Sequence, residues 1–329
     1  MKLRQLFCSL AGAVAIFPVM AQASADAPWP NPDKPIQIIV PAPGGGGTAD
    51  TLARLLAERL RGKLGANVII ENRGGANGNI GAAHAATSPP DGSRFLFSWA
   101  GTLAVSPSLY AKLPFDPKSS FEPIALIADV PNILVVNNEL PVKSVDDLVK
   151  HAKAHPDQLN FGSTGNGSSM HIAGALFMKE TGASMVHIPY SAPSQATTNL
   201  IANDLQLMFQ LVPGIVGQVR GGQVKALAVM SDRRSPALPD VPTTAELGYP
   251  ALQASTWFAM LAPAGTPQPI LNRMNSALNE ILQEPDMVQK LAQMGAVPLG
   301  GTPEQLAKHL DAETGKWRGV IQAAAIPLQ

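Results

Sequence analysis

Ile36-Gln37-Ile38-Ile39-Val40-Pro41-Ala42-Pro43-Gly44-Gly45-Gly46-Gly47-Thr48-Ala49-Asp50 reads as a buried strand, a glycine turn and the start of a helix. Ile36 to Val40 is a short β-branched run, the pattern of a parallel strand covered on both faces. The glycines bring no Cβ to the turn, so its N–H groups can stand clear and point at something. Leu52, Leu55, Leu56 and Leu60 follow on one helical face. The N-terminal end of that helix carries unpaired donors and partial positive charge, a natural seat for a carboxylate or phosphate. Asp50, in its first turn, is placed either to accept from a ligand or water, or simply to favour the helix end.

The same device recurs down the chain. Val68 to Asn72 reads as a second strand and Arg73-Gly74-Gly75-Ala76-Asn77-Gly78-Asn79 as a second glycine-rich turn, leading into an Ala-rich helix. Arg94 to Trp99 is a third strand, closed by the small and polar residues Ser98-Trp99-Ala100-Gly101-Thr102. Asn160 to Ser163 ends another strand; Thr164-Gly165-Asn166-Gly167-Ser168-Ser169-Met170-His171 then opens a helix. Strands alternating with helices predict an α/β fold with largely parallel sheets, whose ligands sit beyond the carboxyl ends of the strands. Ile124 to Val136 holds two apolar runs broken by Asp129 and Pro131-Asn132, read as the crossing into a second domain, and Trp257 to Ala262 as the return. Met185 to Pro189, Leu205 to Phe209 and Val224 to Met230 read as further strands, and three helices close the chain between Ile270 and Ala325. The division is residues 24–128 with 256–329 as one lobe and 129–255 as the other.

Ahead of the first strand, Lys2 and Arg4, the apolar run Leu6 to Met20 and Ala21-Gln22-Ala23 match the three regions of a secretion signal, residues 1–23, cleaved near Ala23. The alternative is a buried N-terminal helix. The only cysteine, Cys8, lies within this segment, so the mature chain has no disulfide or thiol-based metal site. The 329 residues carry no formal net charge and are 46% hydrophobic and 15% charged, which excludes a disordered chain and gives no sign of nucleic acid as a partner.

Sharper chemistries leave incomplete traces. Gly44, Gly46 and Ala49, with Glu71 after the second strand, fit only a degenerate dinucleotide fingerprint, and Thr48 stands where a phosphate-binding loop needs lysine. Ser163 or Ser169 with His171 offers a nucleophile and base for an exported hydrolase, outside any Gly-x-Ser-x-Gly elbow. The histidines lack metal-ligand spacing, and no cofactor is expected.

Taken together, the motifs resemble the solute receptors of tripartite tricarboxylate transporters, the Bug-type receptors. The resemblance rests on Pro35-Ile36, Ile39-Val40-Pro41, Gly44-Gly45, Thr48-Ala49-Asp50, Glu71-Asn72-Arg73-Gly74-Gly75-Ala76-Asn77-Gly78, Pro90-Asp91-Gly92 and Phe121-Glu122-Pro123-Ile124-Ala125, in that order. It continues through Gly162-Ser163-Thr164-Gly165-Asn166-Gly167-Ser168, His187-Ile188-Pro189-Tyr190, Leu238-Pro239-Asp240-Val241-Pro242-Thr243 and Trp257-Phe258. It implies a two-lobed periplasmic binding protein fold with the ligand in the interlobe cleft. It also implies a small organic carboxylate, a di- or tricarboxylate or an aromatic one, delivered by a monomeric periplasmic receptor to membrane permease subunits, or reported to a sensor kinase instead. The residues it carries over are Pro43, Gly44, Gly45, Gly46, Gly47, Thr48 and Asp50, then Ser98, Ala100, Gly101 and Thr102. On the second lobe they are Ser163, Thr164, Gly165, Asn166, Gly167, Ser168, Tyr190, Ser191 and, at the far end, Gln210. The family commonly reads Lys-Gly after its Pro-Tyr pair, where this chain has Ser191-Ala192, and an acid where it has Gln206. That departure fits a site without selection for an ammonium group.

Overall fold

A computed structural model describes residues 29–45, 47–323 and 328. Residues 1–28, Gly46, residues 324–327 and Gln329 lie outside the described residues, and with them the expected secretion signal and its cleavage site. In chain order the elements are β1 (Ile36–Val40), α1 (Thr48–Leu64), β2 (Val68–Asn72), α2 (Asn79–Ala86), β3 (Arg94–Trp99), a π turn at Gly101–Val105 and α3 (Ser106–Leu109). Next come β4 (Phe121–Val136), α4 (Val145–Ala154), β5 (Asn160–Ser163), α5 (Ser169–Thr181), β6 (Val186–Pro189), α6 (Pro193–Ile201) and β7 (Leu207–Leu211). The chain ends with α7 (Val216–Arg220), β8 (Lys225–Val229), β9 (Ser255–Pro263), α8 (Gln268–Gln283), α9 (Pro285–Gln293), β10 (Val297–Gly300) and α10 (Pro303–Ala323).

β1 lies between β2 and β3, parallel to both, and its side chains divide by the period of a strand. Ile36, Ile38 and Val40 join Leu52, Leu56 and Leu60 of α1 and Met274 and Leu278 of α8, while Ile39 faces Ala82 and Ala85 of α2 and Leu306 and Leu310 of α10. Both faces are covered, which is why the run needs no polar alternation. Gly65 ends α1 in the left-handed conformation and donates to the Arg61 carbonyl (3.0 Å). The second sheet repeats the plan, with β5 parallel to both β6 and β7. Phe161, Phe177 and Phe209 form its core, with rings 5.4–5.8 Å apart across Phe209.

The sheets are less parallel than the sequence pattern indicates. β9 runs antiparallel to β3 and β4, and β4 antiparallel to β7, β8 and β10. The two apolar runs of Ile124 to Val136 are one 16-residue strand, β4. Its first part pairs with β9 from Phe121–Pro263 to Pro131–Ser255, and from Asn132 onward it pairs with β7 instead. Pro131 has no N–H to give the first ladder, so a proline sits where the strand changes partners. Asn132 secures the change, its N–H donating to Ala254 O (2.9 Å) and its Nδ2 to Phe209 O (2.8 Å). β10 escapes the sequence reading because Pro298 and Gly300 break it; it is an edge strand on β4. A small apolar cluster of Val105, Leu109, Ile172 and Ile321 ties α5 to α3 and α10.

Gly174 of α5 lies against Phe161; a Cβ there falls 2.4 Å from the ring. Gly315 of α10 has nothing within 4 Å. The two substitutions therefore have opposite signs. Gly174→Ala overpacks the core and lowers stability by about 1–3 kcal/mol despite alanine's better helix propensity. Gly315→Ala raises stability by about 0.5–1 kcal/mol. Urea midpoints of both variants check the pair.

Candidate functional site

A cavity of about 670 Å³ opens between the sheets, at the carboxyl ends of β1, β5, β6 and β7. Among its described lining residues there is no charged side chain. Four helices begin at its wall: α1 after Gly47, α2 after Gly78, α5 after Ser168 and α6 after Ala192. Ser168 caps its own helix, Oγ accepting from His171 N (3.3 Å). Gly47, Gly78 and Ala192 have no side chain able to do so, and no side chain caps α1, α2 or α6. Their first-turn N–H groups have no side-chain acceptor (Pro193, first in α6, has no N–H to satisfy), and the positive ends of these helices lie at the cavity.

Asp50 stands behind this wall, 2% exposed. Its Oδ2 accepts from Gly45 N–H (3.0 Å), its Oδ1 from Asn72 Nδ2 (2.9 Å), and both oxygens from Arg54 Nε (3.0 Å each). Arg54 also donates to Asn72 Oδ1 (3.1 Å). The carboxylate thus fixes the glycine turn, with Gly45 at φ +96°, to the end of β2. Burial pushes its pKa up, but these donors outweigh burial and hold it below the usual carboxylate range. Asp50 positions the turn and does not line the cavity.

The structure brings Pro43, Gly44, Gly45, Gly47, Thr48, Thr164, Gly165, Asn166, Ser168, Tyr190, Ser191 and Gln210 to the cavity. Gly46 is outside the described residues. Ser98, Ala100, Gly101, Thr102, Ser163 and Gly167 do not line it; Gly101 and Thr102 brace a neighbouring turn instead. Thr102 Oγ1 donates to Asn77 O (2.8 Å), and Asn77 Nδ2 to Gly101 O (3.1 Å). Those bonds hold the Gly75–Gly78 turn, where Ala76 and Asn77 both have positive φ (47° and 52°), against the cavity. This turn belongs to the wall and is absent from the sequence-derived site; two successive glycine-rich turns after parallel strands were the signal. Trp99, Thr256 and Phe258 also line the wall, Trp99 tilted on Phe258 at 6.4 Å.

The serine–histidine pairing differs from the sequence expectation. Ser163 is fully buried, and its Oγ meets His187 Nε2 at 2.5 Å rather than His171. His171 stacks on His187 (4.2 Å between ring centroids), and its Nδ1 accepts from Gly167 N–H (3.2 Å). Among the described residues no hydrogen bond joins Ser163 or Ser169 to the His171 ring. The histidines support the Thr164–Ser168 turn from beneath, and no local motif signals that His187 meets Ser163 there.

Architecture and cavity together define a two-lobed periplasmic binding protein fold. The chain belongs to the tripartite tricarboxylate transporter family receptors, whose model matches residues 52–326. It is 37% identical to Protein BugT of Bordetella pertussis over the whole of both chains. The periplasmic binding protein BugD superposes with a TM-score of 0.85 at 33% identity, covering 91% of this chain and 100% of BugD. An R. palustris protein solved with adipate gives 0.87 at 34% identity (92% and 100% covered), and MatC from Rhodopseudomonas palustris with bound malate gives 0.82 at 30% identity (88% and 100%).

Two predictions follow from this geometry. Asp50→Ala leaves three donors without their acceptor and lowers stability by about 1.5–3 kcal/mol, read from the urea midpoint. Burial draws the His171 pKa down to about 4; burial and then the neighbouring His171 do the same for His187. Unfolded, both titrate near about 6.5, so the unfolded chain binds more protons between the two values. Stability is complete above pH ~6.5 and falls as pH drops toward 4. Urea midpoints at pH 7 and 4.5 show a smaller fall in the His171→Gln/His187→Gln double variant than in the wild type.

Proposed function

We propose that this protein is an exported receptor that captures a small organic carboxylate in the interlobe cavity and delivers it to tripartite tricarboxylate-type permease subunits in the membrane. Cleavage near Ala23 releases it into the periplasm. The observation that carries the reading is a cavity without charged side chains among its described lining residues, at whose wall three helices begin without side-chain caps. Such a wall offers N–H donors and partial positive charge, complementary to a carboxylate. The adipate and malate of two relatives' solved structures support the same class.

In this reading the lobes are joined at Pro131–Asn132 and Ala254–Ser255, where β4 and β9 pass between sheets, and ligand favours their closed arrangement. Gly47 lies opposite Pro193, with a Cβ built on it 3.8 Å from the proline ring, so these two uncapped helix ends approach one another across the cavity. Charge-assisted N–H···O bonds are worth about 1.5–3 kcal/mol each. A few of them bring the affinity to the micromolar range, roughly −8 kcal/mol, after the entropic cost of association. The capture breaks no bond and uses no catalytic base.

A thermal-shift screen of ligand-stripped protein against di- and tricarboxylates, aromatic carboxylates and acidic amino acids tests this. A true ligand at a hundredfold excess over Kd adds about 2.7 kcal/mol and raises Tm. A melting temperature that no carboxylate moves contradicts the reading.

A further inference from the structure

Gln210 and Thr256 line the floor of the cavity, and each is only 1% exposed. They belong to β7 and β9, the strands on either side of the point where β4 changes partners: Gln210 is paired with Ile133 and Thr256 with Val130. Gln210 Oε1 accepts from Leu211 N–H (2.9 Å), which fixes the orientation of its amide. Gly214 lets that amide lie close; a Cβ there falls 3.2 Å from Gln210 Cδ. The Nε2 donors of this locked amide have no partner, and neither does Thr256 Oγ1. A buried amide and hydroxyl left unsatisfied are costly, and a ligand group that satisfies them recovers that cost.

We infer that Gln210 and Thr256 form an inner subsite for an oxygen at the end of the ligand remote from the glycine turn: a hydroxyl, a carbonyl or a second carboxylate. This rests on the receptor reading above and narrows its ligand. The amide hydrogens of Gln210 require a lone pair, which oxygen supplies and an ammonium group lacks. An ammonium would also find no carboxylate in the described lining and would face the positive ends of the helices. The subsite therefore selects carboxylates with a second oxygen function and rejects their amino counterparts.

Titration calorimetry on the mature protein tests the inference with three probe pairs: succinate and β-alanine, adipate and 6-aminohexanoate, 4-hydroxybenzoate and 4-(aminomethyl)benzoate. The wild type is expected to bind the oxygen-bearing member of at least one pair about tenfold or more tighter than its partner. Gln210→Glu keeps an acceptor for Leu211 N–H and turns the donor into an acceptor. It is expected to weaken the oxygen-bearing probe about tenfold and to narrow or reverse the preference, a change that a merely structural role would not produce. Thr256→Val, near-isosteric, is expected to weaken the same probe without favouring the amine. An unchanged preference in Gln210→Glu with unchanged affinity in Thr256→Val overturns the inference and leaves the receptor reading standing. So does wild-type binding of another carboxylate together with none of these oxygen-bearing probes. Absence of binding by every carboxylate overturns the receptor reading itself.

Discussion

Two neighbouring strands hold this molecule together. β4 and β9 are paired antiparallel from Phe121–Pro263 to Pro131–Ser255, and beyond that point β4 enters the second sheet. A strand pair is stiff along its ladder and yields where the ladder is interrupted. Pro131, without an N–H, and Asn132, whose side chain donates to Phe209 O, mark that place. Everything the cavity offers is delivered to this crossing from both sides: β1 and its glycine turn from one sheet, β5, β6 and β7 from the other.

The cavity solves an electrostatic problem without ionised side chains. A buried cation facing an anionic ligand would pay desolvation whenever the cleft is empty. Helix ends carry partial charge already built into the backbone, and Gly47, Gly78 and Ala192 leave it uncapped. The one buried carboxylate of the first turn, Asp50, spends its acceptors on Gly45, Asn72 and Arg54, so it shapes the seat and stays out of the cavity. On the other lobe, the stacked neutral rings of His171 and His187 do the corresponding work under the Thr164–Ser168 turn.

Much of this was legible in the sequence because period and punctuation are local. The run from Ile36 to Val40, the glycine turn and the left-handed stop at Gly65 are each written in adjacent residues. So is the Ser144 cap, whose Oγ accepts from Asp147 N–H (3.0 Å). What escaped depends on partners distant in the chain. β4 looked like two runs because Pro131 and Asn132 are breakers until a second sheet receives the strand. Thr102 reads as a cleft residue because it follows a strand end, and only its bond to Asn77, distant in the chain, turns it to bracing a turn. Ser163 was matched with His171, its near neighbour, although parallel pairing of β5 with β6 brings His187 to it. Thr256 gave no signal at all, since its role comes from the crossing and not from its own segment.

Under the receptor reading, neutral backbone donors of the first glycine turn hold the ligand's carboxylate. A crystal structure of the protein with a bound carboxylate tests it most directly. The account predicts carboxylate oxygens within hydrogen-bond distance, about 2.7–3.2 Å, of N–H groups in the turn that starts α1, directly or through one ordered water, with no lysine or arginine side chain in contact. A carboxylate seated on a cationic side chain, or bound outside the space between the lobes, would contradict it.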